Sequence, residues 1–139
     1  DNGREHTGVD VGKWAKEVEG RGAGEIFLTS IDREGTGKGF DLELIAMVSK
    51  TVTIPVIAHG GASIALHLMD ALTQGNADAV SIASMLHYKS LSTDVTKGYE
   101  SEGNVEFLKK EVQFKNLGGL NLVELKSELS RLGIGLRQV

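Results

Sequence analysis

The sequence predicts an α/β fold with parallel strands, and three observations predict it. First, three short apolar runs each end in polar or small residues that open into a loop. Glu25-Ile26-Phe27-Leu28-Thr29-Ser30-Ile31 runs into Asp32-Arg33-Glu34-Gly35-Thr36, Ile54-Pro55-Val56-Ile57-Ala58 into His59-Gly60-Gly61-Ala62-Ser63, and Ala79-Val80-Ser81-Ile82-Ala83 into Ser84. A buried parallel strand whose C-terminal end faces a site has this order of residues. Second, the starts Ile26, Ile54 and Ala79 stand 28 and 25 residues apart, the length of one strand–helix unit. Third, the strand interiors lack strict polar–apolar alternation, as expected where both faces of a sheet are covered.

The elements follow in order. Residues 1–9 are polar and Gly-containing and read as an arm. A helix fits Asp10 to Arg21, with Asp10 as cap, Val11, Trp14, Ala15 and Val18 as one stripe, and Gly22 at the stop. Strand Glu25–Ile31 comes next, then the loop Asp32–Phe40. A second helix runs from Asp41 to about Lys50 with Leu44, Ile45 and Val48 on one face. After strand Ile54–Ala58, Ser63 caps a third helix with Leu66, Met69 and Leu72 on one side, ending near Gly75. Ala79–Ser84 is the last strand. From Tyr88 to Gly103 the pattern is that of an exposed loop, and Glu106–Val112 fits one or two helical turns. Asn121-Leu122-Val123-Glu124 opens a final helix in the manner of a capping box, with Leu122, Leu125, Leu129 and Leu132 inside and Gly133 as stop. The expected organisation is one domain over 1–139: an arm at 1–9, strand–helix units over 10–88, a variable connection at 89–120, and the last helix and tail at 121–139.

Composition bounds the function. At 139 residues the chain suffices for one domain with a core. A net charge of -4 gives no electrostatic attraction for nucleic acid, and 5% aromatics leaves few stacking platforms for single strands. There is no cysteine, so disulfides and thiolate metal sites are absent. No apolar run reaches the ~20 residues of a membrane span, and no signal-peptide pattern opens the chain. With 40% hydrophobic residues, 18 Gly and 1 Pro, tight loops between regular elements explain the composition better than disorder. The expectation is a soluble, cytoplasmic globular domain that contacts neither nucleic acid nor membrane.

Three segments in order carry a family resemblance: Leu28 to Thr36, Ile57-Ala58-His59-Gly60-Gly61, and Ala77-Asp78-Ala79 through Ser84-Met85-Leu86-His87-Tyr88. They resemble the cyclase subunit family of imidazole glycerol phosphate synthase, from histidine biosynthesis. The likeness runs from about Thr7 to Tyr88, takes in Trp14 and Gly22-Ala23-Gly24-Glu25-Ile26, and resumes weakly from Leu122 to Arg137. Members of that family fold as an eight-stranded (β/α) barrel of ~250 residues. The resemblance therefore implies the C-terminal half of a (β/α)8 TIM barrel, with the helix after strand five and strands six to eight. Both of the family's catalytic aspartates would lie outside these residues, so neither transfers to a position here.

What the resemblance carries over is a phosphate site, since such barrels hold a substrate phosphate with the loops after strands seven and eight and a short helix N-terminus. It maps to Gly60, Gly61, Ala83 and Ser84, with Glu34 and Gly35 beside the same group. Glycine suits this role because a backbone N–H approaches an anion most closely where no Cβ intervenes. No cofactor and no metal are implied. The implied activity is ammonia-dependent cyclisation of a phosphorylated substrate with a glutaminase subunit as partner. There are departures: Glu34 stands where the family commonly has Asp, His59 replaces a small residue, and Leu91–Leu120 is longer than the usual connection. These departures resemble a cyclase paralogue linked to amidino-sugar synthesis.

Other residues admit two readings. Gly60-Gly61 is a phosphate loop or a tight strand-to-helix turn. Asp32 is the candidate general acid/base, placed at a strand's C-terminal end, or a loop-capping carboxylate. Arg33 is better read as a solvated loop residue than as a phosphate ligand. His59 either titrates beside a phosphate or is a satisfied structural histidine. His87 reads as structural, and His6 and His67 have no partner at metal-ligand spacing. Trp14 reads as core of the outer helix layer, and Lys109-Lys110 as a solvated face. The edges Glu25–Ile31 and Ala79–Ser84 would be open templates for association, so the chain is expected to act as a homodimer or with a complementary half-barrel. The alternatives are a non-catalytic phosphate-binding or assembly half-barrel, and a truncation of a whole barrel.

Overall fold

In the computed structural model, residues 5–87, 89 and 120–137 are described. The expectations for Tyr88, for the helical turns at Glu106–Val112, for Lys109-Lys110 and for nearly all of Leu91–Leu120 lie outside them. The element order is α1 (Val11–Gly20), β1 (Ile26–Thr29), α2 (Leu42–Thr51), β2 (Val56–His59), α3 (Ala65–Thr73), β3 (Ala79–Ser81) and α4 (Leu122–Arg131). The strands form one parallel sheet in the order β1-β2-β3. Its register pairs Ile26 with Val56 and Thr29 with His59, then Ile57 with Ala79 and His59 with Ser81. All three strands therefore end together at Thr29, His59 and Ser81, on one edge of the sheet.

Local chemistry sets the helix starts. The Asp10 carboxylate accepts from Lys13 N at 2.9 Å, Asp41 accepts from Leu44 N at 3.1 Å, and Asn121 with Glu124 forms the expected capping box. Each cap satisfies a first-turn N–H that has no intrahelical partner. Ser63 is different. It does not cap α3, whose N-cap is Ile64 with no side-chain cap bond. The Ser63 hydroxyl donates instead to Gly37 O at 2.6 Å, tying the start of α3 to the loop after β1.

The core lies between the sheet and the helices. Leu28, Val56 and Ala58 from the strands meet Ile45 and Val48 of α2, Leu68 and Ala71 of α3, and Leu125 and Leu129 of α4. Burial along the strands alternates, contrary to the two-sided coverage expected from the sequence. Ile26, Leu28, Val56, Ala58 and Val80 face the helices, whereas Phe27, Thr29, Ile57, His59, Ala79 and Ser81 occupy the other face. Phe27 is 56% exposed there, so this face carries no layer among the described residues. Period-two pleating makes this the unavoidable result of covering one side only.

Three helix stripes are also corrected. On α1 the buried residues are Gly12 and Ala15, and Trp14 is half-exposed rather than core. Gly12 permits α1 to pack closely on α2, since a Cβ there would lie 3.3 Å from Met47 Sδ. On α3 the buried stripe is Ala65, Leu68 and Ala71, leaving Leu66 exposed. On α4 only Leu125 and Leu129 of the four leucines are buried. The helix does bury an i, i+4 pair, whereas Leu122 and Leu132 are exposed.

The strands are shorter than the sequence indicates. Glu25, Ser30 and Ile31 fall outside β1, and Ile82 to Ser84 fall outside β3, with helical residues at 84–87. β2 loses Ile54 and Pro55 but gains His59, which pairs with both neighbours. Glu19 fastens α1 to the approach to β2. Its Oε1 accepts from Thr53 N and Thr53 Oγ1, each at 2.6 Å, and its Oε2 from Lys16 at 2.7 Å. These hydrogen bonds, those from Lys16 first, lower the Glu19 pKa from 4.5 to about 2.

Candidate functional site

Because three parallel strands end together, the loops that follow them meet. They enclose a cleft of about 110 Å³. Glu34, Gly35 and Gly37 enter it from the loop after β1, Gly60, Gly61 and Ala62 from the loop after β2, and Ile82, Ala83 and Ser84 from the residues after β3. His59 and Ser81 complete the wall from the strand ends. All six residues expected at a phosphate site, Glu34, Gly35, Gly60, Gly61, Ala83 and Ser84, thus line one cavity.

Asp32 is exposed and is not among the cleft residues. Its loop turns back through Arg33 N and Glu34 N, which donate to Ser30 O at 3.2 and 2.9 Å, so that Glu34 rather than Asp32 enters the cleft. Arg33 lies with its Cβ against Gly61.

The glycine pair is required by packing as well as by backbone conformation. Gly60 and Gly61 have φ of 97° and 102°, a region unfavourable for residues with a Cβ. A Cβ on Gly60 would stand 2.9 Å from Ser30 O, and one on Gly61 would collide with Gly39 O. The bare backbone at Gly61 lets its carbonyl accept from Gly39 N at 2.8 Å. With the Ser63–Gly37 bond, this clamps the loop after β1 onto the loop after β2.

Among the described residues, the N–H groups of Gly60, Gly61, Ala83 and Ser84 donate to no protein acceptor. Ser84 and Met85 also begin the helical residues 84–87, where first-turn N–H groups have no partner within the helix. Unused donors converging on a small concave space form a setting for an anion. Among the described residues, the ionisable side chains in the cleft wall are Glu34 and His59, with no lysine or arginine.

His59 lies on the open sheet face. Thr29 Oγ1 is 3.3 Å from its Nδ1, and the Phe27 ring centroid is 5.2 Å from that of the imidazole. His67 has a different environment. It packs beneath Gly39, its Nδ1 accepts from Ser63 N at 3.3 Å, and burial lowers its pKa despite the opposing charge of Asp70. A neutral ring is what that acceptor role requires. Among the described residues, no group of three or more His, Asp or Glu side chains could hold a metal ion. No helix there is long and apolar enough to cross a membrane.

The sequence left His59 either beside a phosphate or structural; the structure puts it in the cleft wall. Its place at the end of an apolar run gave one signal, since a strand continued by one residue would put it beside the glycines. Ser81, Ala62 and Gly37 carry no comparable signal; they enter the wall through register and through the path of the loop after β1.

Comparison with known proteins gives concordant matches. Residues 1–92 match the family described as "Histidine biosynthesis protein". The chain is similar to proteins named "Imidazole glycerol phosphate synthase subunit HisF". It is 57% identical to that of Pyrobaculum aerophilum over 104 residues, covering 75% of this chain and 41% of the relative. The Nostoc sp. protein is 50% identical over 103 residues, covering 74% and 40% respectively. The Methanococcus vannielii protein is 47% identical over 115 residues, covering 83% and 38%. The chain thus spans about two-fifths of the length of these curated relatives.

Proposed function

The chain belongs to the histidine biosynthesis protein family, and on that premise we propose that it forms the phosphate-holding part of an imidazole glycerol phosphate synthase cyclase. The observation that carries this reading is the convergence of Glu34, Gly35, Gly60, Gly61, Ala83 and Ser84 on one cleft where three parallel strands end. In this reading the N–H groups of Gly60, Gly61, Ala83 and Ser84 hold a phosphate of the substrate, and the loop after β1 closes the side of the cleft. Anchoring a remote phosphate fixes the reacting part of a substrate without participating in the bond changes. The substrate is a phosphorylated ribonucleotide, the nitrogen source is ammonia from a glutaminase subunit, and the reaction is a cyclisation with cleavage.

The general acid and base lie elsewhere in the completed barrel. Asp32, exposed and outside the cleft wall, is the remaining carboxylate candidate in this part. The open face of Phe27, Ile57 and Ala79 and the outer sides of β1 and β3, unpaired among the described residues, support a half-barrel that works when a second half covers them. That second half is other polypeptide of the same protein, a partner chain or a second copy.

The test is reconstitution. The chain is mixed with a polypeptide carrying strands one to five of a relative, and ammonia-dependent formation of imidazole glycerol phosphate is followed. Light scattering on a sizing column reports the assembly. The proposal expects turnover with the mixture and none with either part. A stable assembly that binds phosphate esters but never turns over would favour the second reading, a non-catalytic phosphate-binding half-barrel.

A further inference from the structure

Among the described residues, the cleft wall contains one acidic side chain, Glu34, and no lysine or arginine. Unused N–H groups supply partial charge, but a phosphate or sulfate brings about two full negative charges into a space that already holds a carboxylate. Among the described residues of the wall, His59 is the one side chain that can become cationic.

The geometry fits that role. β2 delivers His59 directly before Gly60 and Gly61, so the imidazole and the glycine N–H groups belong to one continuous turn. Thr29 Oγ1 lies 3.3 Å from Nδ1, and the Phe27 ring lies against one side. The hydroxyl both donates and accepts, so it accommodates Nδ1 with or without its proton. This holds the ring orientation while Nε2, which has no partner among the described residues, is left for a ligand. The neighbouring strands contribute nothing ionisable beside it: Phe27 and Thr29 come from β1, and Ala79 and Ser81 from β3. Glu34 and Arg33 in the loop after β1 are charged groups near this end, as is Asp41, whose carboxylate accepts from the hydroxyl of Ser30, the residue whose N–H donates to His59 O.

We propose that His59, in its protonated form, is a charge-supplying ligand of the anion held at Gly60 and Gly61, making anion capture by this cleft proton-linked. The inference rests on the reading of the cleft as a phosphate site and adds to it a specific pH dependence. Imidazole changes charge between about pH 5 and 8, so the cleft binds its anion most tightly at the acidic end of that range and releases it toward the alkaline end.

Sulfate separates this from the titration of phosphate, since its charge is constant across the range. Calorimetric titration of the 139-residue chain with sulfate is run at about pH 5.5, 6.5 and 8, in buffers of differing ionisation enthalpy. The expected result is affinity falling about tenfold or more across the series, with a proton taken up on binding near the middle of it. In His59→Asn both the pH dependence and the proton uptake vanish, while binding at the alkaline end is retained. Far-UV circular dichroism confirms that the variant is folded. The wild-type proton uptake does not depend on any variant folding.

Uptake that survives in His59→Asn would assign the proton to Glu34 and overturn the proposal. Equal affinity at all pH values in both proteins would also overturn it, while leaving the phosphate cleft itself standing. Failure to bind sulfate or inorganic phosphate at any pH would remove the cleft reading and this inference together.

Discussion

Replacing Gly61 by alanine tests whether the cleft depends on bare backbone at that position. Gly61 has φ of 102°, which costs an L-residue about 1–2 kcal/mol. The new Cβ would also meet Gly39 O, a backbone atom, and stand 3.0 Å from Arg33 Cβ. Neither can rotate away, so the loop after β1 must shift. That shift stretches the Gly39 N to Gly61 O bond of 2.8 Å, worth about 1 kcal/mol, and loads the Ser63 Oγ to Gly37 O bond of 2.6 Å, worth about as much. The sum is about 3–4 kcal/mol. Gly35→Ala is the matched control. It shares a positive φ of 71°, but its Cβ would meet nothing within 4 Å, so the cost is about 1–2 kcal/mol. Urea unfolding followed by far-UV circular dichroism resolves the difference of about 2 kcal/mol as a shift in midpoint of about 1 M. If Gly61→Ala proves no more destabilising than Gly35→Ala, the account of why glycine occupies this loop is wrong.

Other outcomes follow from single contacts. Asp41→Ala removes both the Leu44 N cap at 3.1 Å and the acceptor of the Ser30 hydroxyl at 3.2 Å, so it costs about 2 kcal/mol. Asp10→Ala, which loses one cap bond, costs about 1 kcal/mol in the same urea titration. The His67 pKa is held below 6.5 in the fold, so the unfolded chain binds a proton that the folded one refuses. Stability is complete above pH 6.5 and falls as pH drops below it, and His67→Gln flattens that slope between pH 7.5 and 5.5. Glu19 has its pKa lowered from 4.5 to about 2, so the unfolded chain again takes the proton first. Its contribution is present above pH 4.5 and lost as pH falls toward about 2, a loss that acid titration followed by circular dichroism registers and that Glu19→Gln abolishes.

The strand–helix order, the helix caps at Asp10 and Asn121 and the start of a helix at Asp41 were legible because they rest on local chemistry. An aspartate or asparagine ahead of an apolar stripe satisfies the first-turn N–H groups wherever the helix lies, as Asp10, Asp41 and Asn121 do. Ser63 has the same local signature but gives its hydroxyl to Gly37 O, a partner 26 residues away that no local pattern reveals. Trp14 and Leu66 are apolar residues left exposed; which stripe of a helix is buried depends on the neighbouring helix, not on hydrophobicity alone. The cleft was legible in part. Glycine pairs after apolar runs indicate a loop that cannot tolerate a Cβ, and Gly60 and Gly61 behave so. The resemblance set Glu34 beside the phosphate, but the place of Asp32 was not legible, because it depends on the Arg33 and Glu34 amides turning back onto Ser30 O.

The measurement that tests the central claim most directly is calorimetric titration of the chain with ribose 5-phosphate, with ribose as the neutral counterpart. The account predicts saturable one-site binding of the phosphate ester, competition by inorganic phosphate, and no detectable heat with ribose. Binding should weaken sharply in Gly61→Ala, whose new Cβ displaces the loop that closes the cleft. Equal binding of ribose and its phosphate, or no binding of either, would contradict the assignment of this cleft to a phosphate.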